Sequence, residues 1–545
     1  MSNALLAGVS GLQTHQTMLD VTGNNLANVD TYGFKSSRVT FGELLAQTMR
    51  EATQATAGVG GTNPQQVGAG VKVASIDRNM SQGSLIFTGQ SLDMAIEGSG
   101  YFTLNDGQQD VYTRVGAFAV DANFNLVDPS SGDRVQRLGS EGVAEGFQNA
   151  SSADIRIPYD VALPAKATTT VVFSGNLSSN DNSTSTTNLL SSGISYTVDG
   201  GMATKDSLLS DLDQAQGLAA GDTIAITGTT ADGTAVSTTL TLAAGTTVDD
   251  LLSAITAAFP GSTASFSNGD IKLTDTKAGY SQADLNLAYT GAGELTLPNY
   301  FKIQQAGGER TINTNIEIFD SQGVGHVLSV AFVATKAPNT WDVVLTGMTG
   351  EGFMDDRRVK GVTFGADGAY RGLTGTDDTT FRVRYGSDAG NVQDVQLNLG
   401  EPGQFNGLSQ FGGTSTVAAS GQDGYGAGYL SNLSVSRDGI LVGMFTNGVR
   451  QNIAALKLVT FQNPAALESI GNGMFSASAN SGDPLPTRAQ SGGAGSVNGG
   501  SLEKSNVDMA SEFVNLIQAQ NGYQANARTI RVANDMLQEL ASLIK

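Results

Sequence analysis

The sequence predicts a mainly β chain with α-helical termini. Nested β domains are inserted between an N-terminal and a C-terminal helix that pair as a coiled coil. Three observations carry this reading. Leucines recur every seven residues at the start: Leu5, Leu12, Leu19 and Leu26. A longer stripe at the same spacing closes the chain: Met509, Leu516, Tyr523, Ile530, Leu537 and Ile544. Between them, short apolar runs alternate at period two and are broken by Gly, Asn and Asp, as half-buried strands and turns do.

The first helix covers residues 2–29. Its second column, Val9, Gln16 and Gly23, is only partly apolar. Gly8, Gly11 and Gly23 each cost about 1 kcal/mol relative to Ala, so the helix is weak alone and is expected to order only against a partner. The segment TGNNLANVDTYGFK (22–35) ends it. Asn24 and Asn28 are four apart and Asn25 and Asn28 three apart, which puts them on one helical face. An amide both donates and accepts, which suits a helix end. Gly33 supplies a conformation that a Cβ resists, and Phe34 is expected to pack beneath the turn.

Residues 51–70 are polar and Gly-rich, so 33–75 reads as a linker or extended arm. From 71 onward, VKVASIDRNMSQGSLIFTG, SLDMAIEGSGYFTLND and VYTRVGAFAVDANFNLV read as successive strands. Residues 166–300 are rich in Thr, Ser and Gly. Within them TTVDDLLSAITAAFPG (246–261) predicts a short helix with Thr247 as N-cap and Pro260–Gly261 as its stop. Strands resume over 301–400, with Ile316, Ile318, Val330, Phe332 and Trp341 as core. A further β stretch spans 425–475, and 476–500 connects to the last helix. That helix is expected over 506–544, starting at a capping-box-like Ser505…Asp508 pair, and is roughly 60 Å long. A helix of that length with a 3.5-residue stripe calls for a partner helix.

Chain ends that meet imply nesting. The predicted domains are 1–32 with 503–545 as the terminal coiled coil, 76–165 with 412–502 as an inner β domain, 166–182 with 299–411 as a middle β domain, and 183–298 as an outer inserted β-rich domain.

Composition narrows the chemistry. Fifty-one Asp and Glu against 30 Lys and Arg give a net charge of -21 over 545 residues, which argues against a nucleic-acid partner. No cysteine is present, so disulfides, thiolate nucleophiles and Cys zinc sites are excluded. No metal or cofactor is expected. No run approaches the ~18 apolar residues of a membrane span, so no membrane insertion is expected. No secretory signal is visible, since the first basic residue is Lys35. Asp121, Asn123 and Asn125 begin like a calcium loop, but Leu126 stands where Gly is needed and Gly132 where Glu is needed. A turn is predicted there. Asp355, Asp356, Arg357 and Arg358 read as a solvated turn, His326 as a strand residue, and His15 as an interface or surface residue. No enzyme is expected.

The segment NNLANVDTYGFK resembles the N-terminal signature of bacterial flagellar rod and hook axial proteins. The resemblance continues through GSGYFTL (98–104) and YTRVGAFAVDANFNLV (112–127) and closes with LEKSNVDMASEFVNLIQAQNGYQANARTIRVANDMLQEL (502–540). The stretches 316–332 and 423–475, with Trp341, are similar to the hook members of that family rather than to its shorter rod members. Residues 246–285 resemble a small module of other flagellar axial proteins, carried here as an extra outer domain.

The resemblance implies a structural hook subunit that polymerises with itself into a curved hollow tube joining rod to filament, transmitting torque as a universal joint. It implies contacts with the distal rod protein, the hook–filament junction protein and the hook cap. It also implies passage through the flagellar type III export apparatus without a cleaved signal, to an extracellular place in the flagellum. Some hook proteins cross-link through a cysteine, a route closed to this chain. A distal rod or hook–filament junction protein, and a secreted β-rich adhesin or surface protein, stand as alternatives. The paired terminal heptads speak against an adhesin.

Overall fold

The computed structural model describes residues 3–180, 184–375, 378–386 and 392–543, and Ile544 lies outside them. The α-helices of the described residues are α1 (Asn3–Ala27), α2 (Val248–Ala258) and α3 (Met509–Leu543). Everything else is strand, turn or short 3-10 helix. The chain divides into two compact units, Met1–Leu163 with Gly428–Lys545, and Pro164–Ala427.

In the first unit, α1 is followed by a β-hairpin arm. Its strands are β1 (Ser37–Glu43), β2 (Gln47–Arg50), β3 (Gln65–Val67) and β4 (Val71–Arg78). β1 pairs antiparallel with β4 from Ser37↔Arg78 to Glu43↔Val71, with a bulge at Thr40/Phe41, and β2 pairs with β3 beyond them. The segment read from sequence as a linker or extended arm is a paired β ribbon.

The β body that follows is built from both halves of the discontinuous unit. Tyr101–Asn105 pairs with Leu458–Thr460, Met94–Glu97 with Ser496–Gly499, and Leu85–Phe87 with Ser501–Glu503. Met94, Ile96, Phe102, Leu458 and Val497 of these strands are fully buried. Their burial, at about 25 cal/mol per Å² of apolar surface, holds the two segments together.

The second unit contains a five-stranded meander running from Thr311–Phe319 through Gly325–Ala334 and Thr340–Met348 to Tyr370–Leu373. It is buried on both faces. Val330, Phe332, Trp341 and Val343 face one core with Phe173 and Phe381. Ala331, Val333 and Val344, the alternating residues, face a second core with Ile224, Leu251, Ile255 and Phe301. This is why GHVLSVAFVA reads as nearly continuous apolar sequence. The second core belongs to the segment carrying α2, which starts as the sequence predicts. Thr247 accepts the Asp250 N–H while the Asp250 carboxylate accepts the Thr247 N–H. Ala418–Gln422 pairs with Thr170–Ser178 inside this unit, so the return to the first unit falls at Gly428, later than the boundary at 412 read from the sequence.

Candidate assembly site at the paired chain ends

α1 and α3 pack antiparallel. Asn25 lies opposite Glu512, His15 opposite Gly522, and Gly8 opposite Ile530. Small and polar side chains form the seam. The buried residues of α1 are Gly8, Gly11, Thr14, Thr22 and Asn25, and those of α3 are Ala519 and Ala533. Glycines accept knobs from the opposite helix. A Cβ on Gly8 would stand 2.9 Å from Ile530 Cγ1, on Gly11 2.6 Å from Asn526 Oδ1, and on Gly522 2.4 Å from His15 Cε1. The arm covers another flank of α1. Ser10 Oγ accepts the Val71 N–H at 3.2 Å, and the Phe41 ring meets His15 edge-on at 5.4 Å.

Leu5, Leu12, Leu19 and Leu26 are half-buried along the edge of this seam, as are Leu516, Tyr523 and Ile530. Met509 is 52% and Leu537 46% exposed. At Met509 this is because α1 stops at Ala27 before reaching it. The heptad stripe marks the right side of each helix, but its fully buried line consists of the small residues next to it. Phe513, Val514, Ile517, Val532 and Met536 of α3 stay more than half exposed.

The Asn-rich turn joins the helix pair to the β body. Asn25 is the clamp. It is buried, donates to the Ser37 carbonyl at 2.7 Å and to Glu512 Oε1 at 3.2 Å, and accepts the Ser37 N–H at 2.9 Å. Asn24 and Asn28 act locally: Asn28 Nδ2 donates to the Asn24 carbonyl at 2.9 Å, and Thr31 Oγ1 to Asn28 Oδ1 at 3.1 Å. Gly33 sits at φ +68 with its N–H on the Glu503 carbonyl at 2.8 Å, and a Cβ there would meet Val115. Phe34 is half-buried.

Beneath the turn is a buried ionic knot that sequence reasoning missed. Lys35 Nζ donates to Glu503 Oε1 at 2.6 Å and to the Ser81 carbonyl at 2.8 Å. Arg114 approaches Glu503 Oε2 at 3.4 Å, and the Gly83 N–H donates to Glu503 Oε1 at 2.8 Å. Burial pulls the Lys35 ammonium below the ordinary lysine range, with the Glu503 carboxylate acting in the other direction. Asn506 completes the knot, accepting the Ser36 N–H and donating to the Asn79 and Ser81 carbonyls. The only sequence trace of it was that both end motifs carry charge, at Lys35 and Glu503. Pairing across 468 residues has no local signature.

α3 begins at Met509 rather than near 506 because Asp508, not Ser505, caps it. Its carboxylate accepts the Ala510 N–H at 3.0 Å and the Ser511 hydroxyl at 2.7 Å. Those bonds hold the Asp508 carboxyl below its ordinary value. Ser505 takes the Val507 N–H instead.

The other candidate groups are structural. Asp121 accepts the Asn123 and Asn125 N–H groups, which makes a turn. Asp355 pairs bidentately with Arg384 on the neighbouring strand. His326 lies in a strand, between Asp320 and the Thr349 carbonyl. Among the described residues no group of three or more His, Asp or Glu could hold a metal ion, and no helix is long and apolar enough to cross a membrane.

Known proteins match along this same framework. A family model described as flagella basal body rod protein matches residues 5–35, and one for the flagellar basal body rod FlgEFG protein C-terminal matches 498–543. The flagellar hook protein FlgE/F/G D1 domain matches 95–177, and the flagellar basal body protein FlaE D2 domain matches 286–425. The flagellar hook protein FlgE of Borreliella burgdorferi is 31% identical over the full length of both chains, and that of Treponema pallidum 32%. That of Escherichia coli is 28% identical over 99% of this chain and 100% of its own. The terminal signatures, the β body between them and full-length identity above 30% agree: this chain belongs to the flagellar hook protein FlgE family, structural subunits of the bacterial flagellar hook.

Proposed function

We propose that this subunit polymerises with itself through its paired terminal helices into the curved hollow tube that joins rod to filament, and that the tube transmits torque as a universal joint. The observation that carries the reading is the uncovered apolar face of α3, with Phe513, Val514 and Ile517 each more than half exposed. Burying one such side chain contributes about 1.5–3 kcal/mol, so helices of neighbouring copies gain by lying against it. The seam within one chain is small and polar and supplies little apolar burial, so the pair orders fully only when neighbours add contacts. Leu5, Leu12, Leu19, Leu26, Leu516, Tyr523 and Ile530 then serve the inner helical layer, Met509 and Leu537 its contacts between copies, and the Asn24–Phe34 turn sets the angle to the β body.

The chain reaches the growing end through the flagellar type III export apparatus beneath the hook cap. It meets the distal rod protein at one end of the tube and the hook–filament junction protein at the other. The rod alternative is disfavoured because a long second unit separates the two rod-like ends, and the match at 286–425 lies within it.

The test is Ile530→Asp. Cells making this variant as their sole hook subunit are expected to lack hooks, while the purified chain keeps the melting temperature of its β units. Normal hooks would refute the reading.

A further inference from the structure

The ionic knot beneath the Asn-rich turn carries more positive charge than it balances. Lys35 and Arg114 both close on Glu503, at 2.6 and 3.4 Å. The three side chains are 1%, 5% and 0% exposed, in that order. Two buried cations over one carboxylate hold a net positive charge away from water, which burial disfavours. Loss of the Lys35 proton removes the excess, and Arg114 stays to pair Glu503. Burial pulls Lys35 toward the free amine, the form in which its nitrogen attacks carbon.

An electrophile stands beside that amine. The Ser81 carbonyl accepts from Lys35 Nζ at 2.8 Å and from Asn506 Nδ2 at 3.0 Å, so amine and amide meet on one oxygen. The Ser36 N–H donates to Asn506 Oδ1 at 2.8 Å and draws electrons from the amide carbon, Cγ. The Glu503 carboxylate touches Nζ and can carry its proton. We propose that Lys35 and Asn506 join through an isopeptide bond in the assembled polymer, tying the two end motifs together covalently. Nζ of the free amine attacks Asn506 Cγ. Glu503 takes one Nζ proton and returns it to Nδ2, the Cγ–Nδ2 bond breaks, and ammonia leaves. No other reactant enters. The new amide N–H keeps the Ser81 carbonyl that both nitrogens shared. The inference rests on the assembly reading above: such a step is slow unless the groups are held together, and the chain ends order fully only among neighbouring copies. A free chain keeps the ionic knot. Lys457, Asp110 and Asn105 make a similar trio, but Lys457 and Asp110 are 19% and 32% exposed. Water reaches them, and no bond is expected there.

Tryptic peptides of isolated wild-type hooks test this. The bond joins peptide 1–38 to peptide 505–528, with cleavage after Lys35 lost. The branched product is lighter by one ammonia than its two parts together. Denatured hook protein should still run at the mass of one chain, because the bond lies within it. Dilute monomer is expected to give at least about tenfold less of the branched peptide. Intact hooks that yield only linear 505–528 peptide would overturn the inference. So would an equal yield of the branch in dilute monomer, or a branch at Lys457 in place of Lys35. Each of these results leaves the helix-driven assembly standing, whereas its own failure appears as normal hooks from Ile530→Asp.

Discussion

His15 seats its imidazole against Gly522 across the antiparallel helix pair, so close that a Cβ on Gly522 would stand 2.4 Å from the ring. Phe41 of the arm meets the same ring edge-on. The absence of one methyl group thus fixes the spacing of α1, α3 and the arm at a single point. The glycines that weaken both helices in isolation are what let them approach.

Gly522→Ala is therefore expected to force the helices apart, at a cost of about 1–3 kcal/mol for overpacking. His15→Ala added to the same chain should recover most of that loss. Hook yield and the thermal stability of isolated hooks read both effects. Equal loss in the single and double variants would show that the contact does not set the spacing.

Asn25→Leu keeps the volume but strands the Ser37 N–H and carbonyl. Buried polar groups left unpaired cost about 1–3 kcal/mol each, so the helix pair should detach from the arm and amide exchange at Ser37 should accelerate. Asn24→Ala, which removes only a local acceptor, should change exchange there little.

Glu503→Gln leaves Lys35 and Arg114 facing each other beside a neutral amide. Breaking a buried pair costs about 3–5 kcal/mol, so the first unit should melt markedly lower. Lys35→Met with Glu503→Leu removes both charges and should cost less than Glu503→Gln. Calorimetry on the full chain, with the second unit as internal reference, decides the order.

Acid acts on the second unit through Asp320. Burial opposes ionisation there, but the Val324 and Gln322 N–H groups and the His326 ring hold the carboxyl below its ordinary value of 3.8. A group depressed by folding stabilises above its unfolded value, and that contribution fades as pH falls through the folded value. The melting temperature of the second unit should thus drop in acid below 3.8. Asp320→Asn should lower it by the worth of a charged hydrogen bond, about 1.5–3 kcal/mol at neutral pH, with the two curves converging in acid.

Much of the architecture was legible in the residues. Thr247 and Asp250 announced α2 because a capping box is local chemistry. Trp341, Phe332 and Ile318 announced the core because apolar residues run nearly unbroken along strands that are covered on both faces. The arm was read as a linker or extended arm because 51–70 at its tip is polar and Gly-rich; the pairing of Ser37–Glu43 with Val71–Arg78 across that stretch is non-local. Asp508 displaced Ser505 as the α3 cap because the two differ by one turn, a choice settled by which side-chain oxygen the first helical N–H groups reach.

The sequence by itself determined that two helices at opposite ends would flank nested β units, because heptads, strand alternation and end motifs are each properties of neighbouring residues. Only the tertiary structure decided that the seam runs through Gly8, Gly11, Ala519 and Ala533 rather than through the leucines, and that Lys35 closes on Glu503. Both follow from the distance of closest approach between segments hundreds of residues apart, a quantity no local pattern encodes.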